Sequence, residues 1–162
     1  MKIEDFVPDD EKTLDVGCGN RKIGDVGIDK DPGSDADVIQ DVEKGLPFES
    51  EEFGCVVSRH LLEHLSDAQG LLNEVHRILK PDGRLVLETE KPYPKASSFW
   101  DDPTHVRPYT KKSLRKLSKN AGFSEVKTYD WGIRGLSYCP TFLSKVLMNA
   151  GLGSSLLLVA VK

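Results

Sequence analysis

Two glycines and two aspartates occupy positions at which a nucleoside could bind. Gly17 and Gly19 follow the apolar run 13–16, and Asp29 and Asp41 each come at the end of a later apolar segment. Glycine allows the backbone to turn sharply and a ligand to approach it closely. A carboxylate at a strand end can accept hydrogen bonds from a ribose diol, and a second one can accept from an exocyclic amine such as that of adenine. The spacing therefore predicts a site for a nucleoside cofactor.

The glycine pair by itself is compatible with other cofactors. The dinucleotide fingerprint requires a third glycine where this chain has Lys22, and the Lys-Ser/Thr pair of a phosphate-binding loop is missing. A nicotinamide enzyme is therefore disfavoured. Each aspartate could also simply cap a turn, but acids at successive strand ends are better explained by a ligand.

A metal-binding pattern occurs later, where His60, Glu63 and His64 match the H-x-x-E-H pattern of inverted zinc proteases. Side chains four residues apart lie on one face of a helix and can share a metal ion. A zinc hydrolase that uses His60 and His64 is therefore one alternative. The simpler interpretation gives His64 a packing role and His60 a role at the cofactor site, and it predicts no metal.

A long polar loop between residues 91 and 109 carries further candidates. Loops of this length are usually functional or disordered. His105 could accept a proton from an acceptor hydroxyl or amine, and Arg107 could pair with a carboxylate or phosphate. We expect His105 to be catalytic and Arg107 and Tyr109 to bind substrate. The alternative is a loop that internal hydrogen bonds hold in place.

The elements that must position these residues are predicted from an alternation of apolar runs and amphipathic segments. Hydrophobic patterning predicts strands near residues 13–16, 26–29, 37–41, 55–58, 85–89, 126–131 and 155–161. It predicts helices that begin at Ser58 and Thr110, and others near residues 71–79 and 140–150. Such alternation indicates a three-layer α/β fold with a mostly parallel sheet, in which ligands bind at the carboxyl ends of the strands.

The combined motifs resemble class I S-adenosylmethionine-dependent methyltransferases over roughly residues 13–131. The matching segments are Leu14-Asp15-Val16-Gly17-Cys18-Gly19, Gly27-Ile28-Asp29, Asp41 before Leu46-Pro47-Phe48, Val57-Ser58-Arg59-His60-Leu61-Leu62-Glu63-His64-Leu65, and residues 74–85. The resemblance implies a single methyltransferase domain over residues 1–162, with a Rossmann-like sheet and one antiparallel strand near the C-terminus. Residues 102–107 also resemble a loop of a subgroup linked to cell-surface sugar metabolism.

The resemblance implies roles for individual residues and S-adenosylmethionine as the cofactor. Residues 17–19 would pass beneath its methionine part, with Asp15 holding the loop. Asp29 would bind the ribose, Asp41 with the backbone of Val42 would read the adenine, and residues 58–60 would line the methionine end. The full cofactor-binding set is Asp15, Gly17, Cys18, Gly19, Asp29, Lys30, Asp41, Val42, Ser58 and His60.

In one respect the chain departs from the family pattern. Only residues 20–25 separate the glycine loop from the second strand, and about residues 30–37 separate the second strand from the third. At 1.5 Å per residue, neither gap holds more than about a turn or two of helix. We therefore expect two helices to be missing, and one sheet face to be covered by the 140–150 helix or by a second copy in a homodimer.

Charge, cysteine content and the lengths of the apolar runs limit the classes of partner that we expect for this chain. Residues 1–54 hold 16 acidic and 6 basic residues, and residues 55–162 hold 10 and 16. Three separated cysteines make no disulfide framework, no apolar run approaches the ~20 residues of a membrane span, and the start lacks an apolar leader region. We expect a cytoplasmic protein without membrane or nucleic-acid partners.

The sequence thus predicts an enzyme that transfers a methyl group from S-adenosylmethionine to an unidentified small-molecule acceptor. The basic second half favours an anionic acceptor, and the loop at 102–107 adds a sugar-linked one as an option. The main alternative is a catalytically reduced cofactor-binding or regulatory module of the same fold.

Overall fold

A computed structural model describes residues 2–92, 99–131 and 154–162 of the chain. The helix predicted at 140–150 lies outside these residues. In the part of the chain that is described, no helix is long and apolar enough to cross a membrane.

Seven strands of the described residues form one sheet, in the order β3-β2-β1-β4-β5-β7-β6. The first five pair in parallel, whereas β7 runs antiparallel to both β5 and β6. This arrangement confirms the predicted mostly parallel α/β fold with one antiparallel strand near the C-terminus. The strands are β1 (Thr13–Val16), β2 (Val26–Asp29), β3 (Val38–Ile39), β4 (Phe53–Arg59), β5 (Leu79–Glu90), β6 (Glu125–Trp131) and β7 (Ser155–Val161).

Two α-helices contribute to the main core of the sheet. Asp67 caps α1 (Ala68–Ile78) by accepting a hydrogen bond from the Gly70 backbone, and Thr110 caps α2 (Lys111–Asn120) in the same way through Ser113. Both helices bury an apolar stripe in the cluster that includes Leu14, Val16 and Val56 of the central strands. The central strands are accordingly buried, β1 throughout and β4 up to Ser58.

A second, smaller core cluster is closed by the N-terminal segment. The 3-10 helix Ile3–Phe6 brings Phe6 to within 5.7 Å of the Trp131 ring, measured between ring centroids. Ile3 and Ile23 are buried there together with residues of β4 and β5. No helix occupies residues 20–25 or 30–37, as the gap lengths predicted. The N-terminal segment and Ile23 thus supply part of the cover that the missing helices would give.

The predicted helix that starts at Ser58 is wrong. Ser58 lies inside β4, because the apolar run Cys55–Val57 continues in register between β1 and β5. The chain then turns and forms only a short 3-10 helix at Leu62–His64, whose N-cap is Leu61. His60 and His64 are therefore not presented on one face of an α-helix.

Candidate functional site

A cavity of about 460 Å³ opens at the carboxyl ends of the parallel strands. This is the edge at which open α/β sheets bind their ligands. The walls come from the loops that follow β1, β2, β3 and β4 and from residue 104. The lining residues are Gly17, Asp29, Lys30, Asp41, Val42, Glu43, His60, Leu61, His64, Leu65 and Thr104.

The glycine loop after β1 holds a conformation that favours glycine. Gly17 has φ +74° and Gly19 has φ +55°, both in the left-handed region. The Gly17 amide donates to the Ile28 carbonyl at 2.8 Å, which ties the loop to β2. A Cβ on Gly17 would lie 3.0 Å from the Leu61 side chain, whereas one on Gly19 would meet open space. Gly17 lines the cavity, whereas Gly19, which was also predicted to touch the cofactor, does not.

Asp29, at the end of β2, is oriented by the backbone around it. Its Oδ2 accepts from the Gly19 amide at 2.9 Å, and its Oδ1 accepts from the Asp31 amide at 2.9 Å. Each carboxylate oxygen can accept more than one hydrogen bond. A carboxylate held in this way on the cavity wall can accept hydrogen bonds from the two hydroxyls of a ribose.

Asp41 follows β3 and caps the 3-10 helix Val42–Lys44. Its Oδ1 accepts from the Glu43 amide at 3.1 Å, which leaves Oδ2 without a partner among the described residues. Val42 is buried in the main core and also lines the cavity. Its amide is in the first turn of a helix, where an N–H has no intrahelical acceptor. The pair thus presents an acceptor and a donor to the cavity.

Asp15 supports the site from below. Its carboxylate is fully buried and accepts from the Ile23 amide at 2.8 Å and from Arg59 Nη2 at 3.2 Å. Burial is the main cause that raises the pKa of Asp15, and the hydrogen bonds from Ile23 and Arg59 oppose it. Arg59 also donates to the Arg21 carbonyl. The two side chains hold the 20–25 segment and do not line the cavity.

Cys18 and Ser58, both predicted to touch the cofactor, are also absent from the cavity wall. The Cys18 sulfur packs beneath Gly27, and burial raises the pKa of its thiol to about 11. The Ser58 hydroxyl donates to the Val16 carbonyl at 3.0 Å and ties β4 to β1. Both side chains therefore stabilise the glycine loop and the sheet and do not line the cavity.

His60 follows β4 with φ +49°, a strained value for a residue other than glycine. Its Nδ1 lies 3.3 Å from Glu63 Oε1, and its Nε2 lies 3.5 Å from Glu88 Oε1. These two carboxylates raise the pKa of His60 to about 10. His60 is therefore a cation at neutral pH, on the wall of the cavity.

Glu63 is a functional candidate that the sequence reasoning missed. It is completely buried, and its carboxylate accepts from the Thr89 hydroxyl at 2.8 Å and the Glu90 amide at 3.0 Å. Burial alone would raise the pKa of Glu63, but hydrogen bonds from His60 and these groups lower it below its usual range. The sequence signal that could have identified Glu63 is an acid between the leucines of the segment 61–65, where it is also the glutamate of the H-x-x-E-H pattern.

A second cavity of about 800 Å³ shares His60, His64 and Thr104 with the first. Its other lining residues are Glu63, Glu90, Asp101, Asp102, Pro103 and His105. His105 packs between the rings of Phe99 and His64, at centroid distances of 4.3 and 4.6 Å. The predicted catalytic histidine therefore lies beside the candidate cofactor cavity.

The loop that carries His105 is hydrogen-bonded to the 3-10 helix Leu62–His64. The amides of Val106 and Arg107 both donate to the Glu63 carbonyl, at 2.8 and 3.2 Å. Arg107 contributes to neither cavity wall. Tyr109 is buried and lines a separate pocket of about 290 Å³ with Lys91, Lys111 and Asp130. The structure thus brings His105 to the site but does not bring the two predicted substrate residues there.

Comparison with known proteins agrees with this geometry. A methyltransferase domain family matches residues 2–128. The ubiquinone/menaquinone biosynthesis C-methyltransferase UbiE of Enterobacter sp. (strain 638) is 30% identical over 93 residues, which cover 56% of this chain and 36% of that protein. The chain spans between 28% and 38% of the length of this and similar curated relatives.

Solved structures show the same fold. A SAM-dependent methyltransferase from Thermotoga maritima has a TM-score of 0.77 at 17% identity, covering 99% of this chain and 86% of that chain. Phosphoethanolamine N-methyltransferase 2 of Haemonchus contortus, solved in complex with S-adenosyl-L-methionine, has a TM-score of 0.64 at 17% identity, covering 93% of this chain and 48% of that chain. The family match spans the glycine loop, both acidic strand ends and the loop of His105, and the chain belongs to the methyltransferase domain family.

Proposed function

We propose that this chain binds S-adenosylmethionine in the first cavity and transfers its methyl group to a small-molecule acceptor in the second. The observation that carries the proposal is the convergence of the Gly17 loop, Asp29 and Asp41 on one cavity wall. The family membership and the complex of a similarly folded relative with S-adenosyl-L-methionine support it.

The first cavity fits a nucleoside cofactor by its size and its chemistry. Its volume of about 460 Å³ is within the usual range of small-molecule sites, roughly 300–1,000 Å³. Gly17, which has a positive φ and no side chain, leaves its backbone accessible on this wall. In the proposed complex Asp29 accepts from the ribose hydroxyls, and Asp41 with the Val42 amide binds the adenine edge. Lys30 and His60 add positive charge to the same wall.

The cofactor supplies a methyl group that its sulfonium already activates. The protein must therefore hold the acceptor in line with that group and exclude water. Residue 104 and His64 belong to both cavities, so an acceptor in the second cavity is adjacent to a ligand in the first. In this proposal His105 takes a proton from an acceptor that arrives protonated.

The charges on the wall of the second cavity indicate which chemical class of acceptor it favours. The charge distribution along the sequence favours an anionic acceptor, but the described part of this wall includes the carboxylates of Glu63, Asp101 and Asp102, of which Glu63 is paired with His60. An amine or hydroxyl acceptor fits this wall directly. An anionic acceptor would require additional positive charge at the same place.

Isothermal titration calorimetry with S-adenosylmethionine and S-adenosylhomocysteine tests the cofactor assignment. We expect both to bind, and we expect Asp29→Ala to weaken each by more than tenfold. Asp10→Ala, at an exposed acid before the amino end of β1 that lines neither cavity, is the matched control and should bind normally. Absence of binding for both compounds to the unmodified chain would overturn the proposal.

The catalytically reduced module remains the second candidate, because two helices of the usual pattern are missing. A methyl-release assay against pooled metabolites separates the two: turnover supports the enzyme, and cofactor binding without any turnover supports the module. The homodimer is likewise a proposal, and sizing at micromolar concentration tests it, with a monomer as the contrary result.

A further inference from the structure

We propose that Glu63, His64 and His105 form a binding site for a divalent transition metal ion such as Zn²⁺. One carboxylate oxygen and one nitrogen from each ring all lie within 4.8 Å of one another. The two histidines are 41 positions apart in the sequence, and the 3-10 helix and the 99–109 loop bring their rings to a centroid distance of 4.6 Å. This set differs from the His60 and His64 pair of the sequence pattern.

The hydrogen bonds of His64 determine which of its nitrogens is available. Its Nδ1 lies 2.9 Å from the Thr104 hydroxyl oxygen and 3.3 Å from the Thr104 carbonyl oxygen. The hydroxyl donates its own proton to Asp102 Oδ1 at 2.6 Å, so it can only accept from His64. Nδ1 therefore carries the proton, and the lone pair of a neutral His64 is on Nε2.

The same reasoning applies to His105. Its Nδ1 lies 2.5 Å from the Phe99 carbonyl oxygen, which accepts and cannot donate. The proton is again on Nδ1, and Nε2 again carries the lone pair. A histidine that donates its second ring N–H to a backbone carbonyl or a hydroxyl is oriented in the way that is typical of metal-binding histidines.

Glu63 is prepared as the third ligand. It is completely buried, and the Thr89 hydroxyl, the Glu90 amide and His60 Nδ1 hold its carboxylate in place. Two imidazoles and one carboxylate are the protein ligands of a class of catalytic zinc sites, in which further positions stay open for water or substrate.

The surroundings favour a divalent cation. Asp102 Oδ2 lies 4.0 Å from His105 Nε2 and adds a negative charge beside the cluster. In the described part of its wall, the second cavity is also lined by the carboxylates of Asp101 and Asp102. Ligand atoms around a tetrahedral Zn²⁺ with bonds of roughly 2.0–2.2 Å lie roughly 3.3 Å apart, so the three groups must approach by about 1.5 Å. Modest side-chain rotations can supply this movement.

The use of the ion in the reaction rests on the proposed function. An ion in the second cavity would lie beside the acceptor, would lower the pKa of a bound hydroxyl, and would provide the positive charge that an anionic acceptor needs. His105 would then act as a ligand instead of accepting the proton itself.

Metal titration of the full chain tests the site directly. The untagged protein is treated with EDTA, exchanged into chelator-free buffer, and titrated with Zn²⁺ and separately with Mg²⁺ in a calorimeter. We expect one Zn²⁺ per chain at micromolar affinity or tighter, and no binding of Mg²⁺, which prefers oxygen ligands. His64→Asn and His105→Asn should each weaken Zn²⁺ binding by more than tenfold, since the asparagine amide can replace Nδ1–H but offers no Nε2.

His76→Asn is the matched control, because His76 packs on Phe123 at a centroid distance of 5.2 Å and is not in the cluster. Circular dichroism checks the fold of each variant, and His64→Asn alone decides the matter if His105→Asn does not fold. Equal Zn²⁺ affinity in the unmodified chain and His64→Asn, or no Zn²⁺ binding at all, would overturn the site.

Cofactor titration of the same EDTA-treated protein separates the two proposals. Binding of S-adenosylmethionine without binding of Zn²⁺ overturns the metal site and leaves the proposed function standing. Binding of Zn²⁺ without binding of either adenosyl compound overturns the proposed function and leaves the metal site standing.

Discussion

Arg59 Nη2 lies 3.2 Å from Asp15 Oδ2, and the two form an ion pair beneath the glycine loop. The side chain of Asp15 is 0% exposed and that of Arg59 is 17% exposed. The same guanidinium donates to the Arg21 carbonyl, and the same carboxylate accepts from the Ile23 amide. This pair thus holds the 20–25 segment through the backbone of Arg21 and Ile23.

Arg59→Met should destabilise the fold, because it leaves a buried carboxylate without its counter-charge. We expect a loss of about 3 kcal/mol in the free energy of unfolding, measured by urea denaturation. The double variant Asp15→Asn/Arg59→Met should recover part of this loss, since no charge then remains buried. Equal stability of the single and double variants would contradict the assigned role of the pair.

Gly17→Ala should reduce cofactor affinity more than Gly19→Ala. Both substitutions place an L-residue at positive φ, which costs about 1–2 kcal/mol. Only the first also pushes a methyl group against Leu61, which lines the cavity. Calorimetry with S-adenosylhomocysteine, together with thermal melts, measures both effects. Equal affinities for the two variants would show that the Gly17–Leu61 contact is unimportant.

Asp41→Ala should weaken adenosyl binding about three- to tenfold, the usual effect of one lost hydrogen bond of about 0.5–1.5 kcal/mol. Asp31→Ala is a suitable control, because Asp31 is exposed, accepts only from its own turn at Gly33 and does not line the cavity. Inosine- and adenosine-based analogues can then be compared by competition. Asp41 reads the adenine amine only if Asp41→Ala reduces the preference for adenosine.

Asp130 should make the fold sensitive to acid. Burial acts to raise its pKa, but the ion pairs with Lys111 and Lys91 outweigh that effect and lower the pKa. A lowered pKa in the folded state stabilises the protein above the unfolded value, near 4, and the contribution is lost as the pH falls through the folded value.

Asp130→Asn should therefore lower Tm by about 5 °C at pH 7 and flatten the dependence of Tm on pH below about 5. Glu125→Gln is the matched control, because the Glu125 side chain is 69% exposed and its nearest lysine nitrogen is 3.7 Å away. Parallel pH profiles for the unmodified chain and Asp130→Asn would contradict the assignment.

Local patterning was sufficient to predict most strands and the edge of the sheet at which the first cavity opens. The runs 13–16, 26–29 and 155–161 match β1, β2 and β7, because a buried strand needs consecutive apolar residues. Short gaps excluded helices at 20–25 and 30–37, since a helix needs a minimum length. Asp29 and Asp41 follow from the rule that parallel strands end at one edge of the sheet.

Local patterning failed where a polar side chain is paired with a distant one. Ser58 was interpreted as a helix cap because serine is a common one, but the register of β4 with β1 directs its hydroxyl to Val16. Arg107 and Tyr109 were assigned to the substrate because they share the long loop of His105; neither lines the first or the second cavity, and their substrate role stays a prediction.

The sequence by itself indicated the fold class through its hydrophobic patterning, the methyltransferase family through the resemblance of its motifs, and the position of Asp29 and Asp41 after neighbouring strands, because each of these depends on short segments of the chain. Only the tertiary structure decided that His64, His105 and Glu63 meet, and which nitrogen of each histidine is available. The available nitrogen of each histidine depends on its hydrogen bond to Thr104 or Phe99. The two rings come together because the loop of His105 packs against the 3-10 helix Leu62–His64.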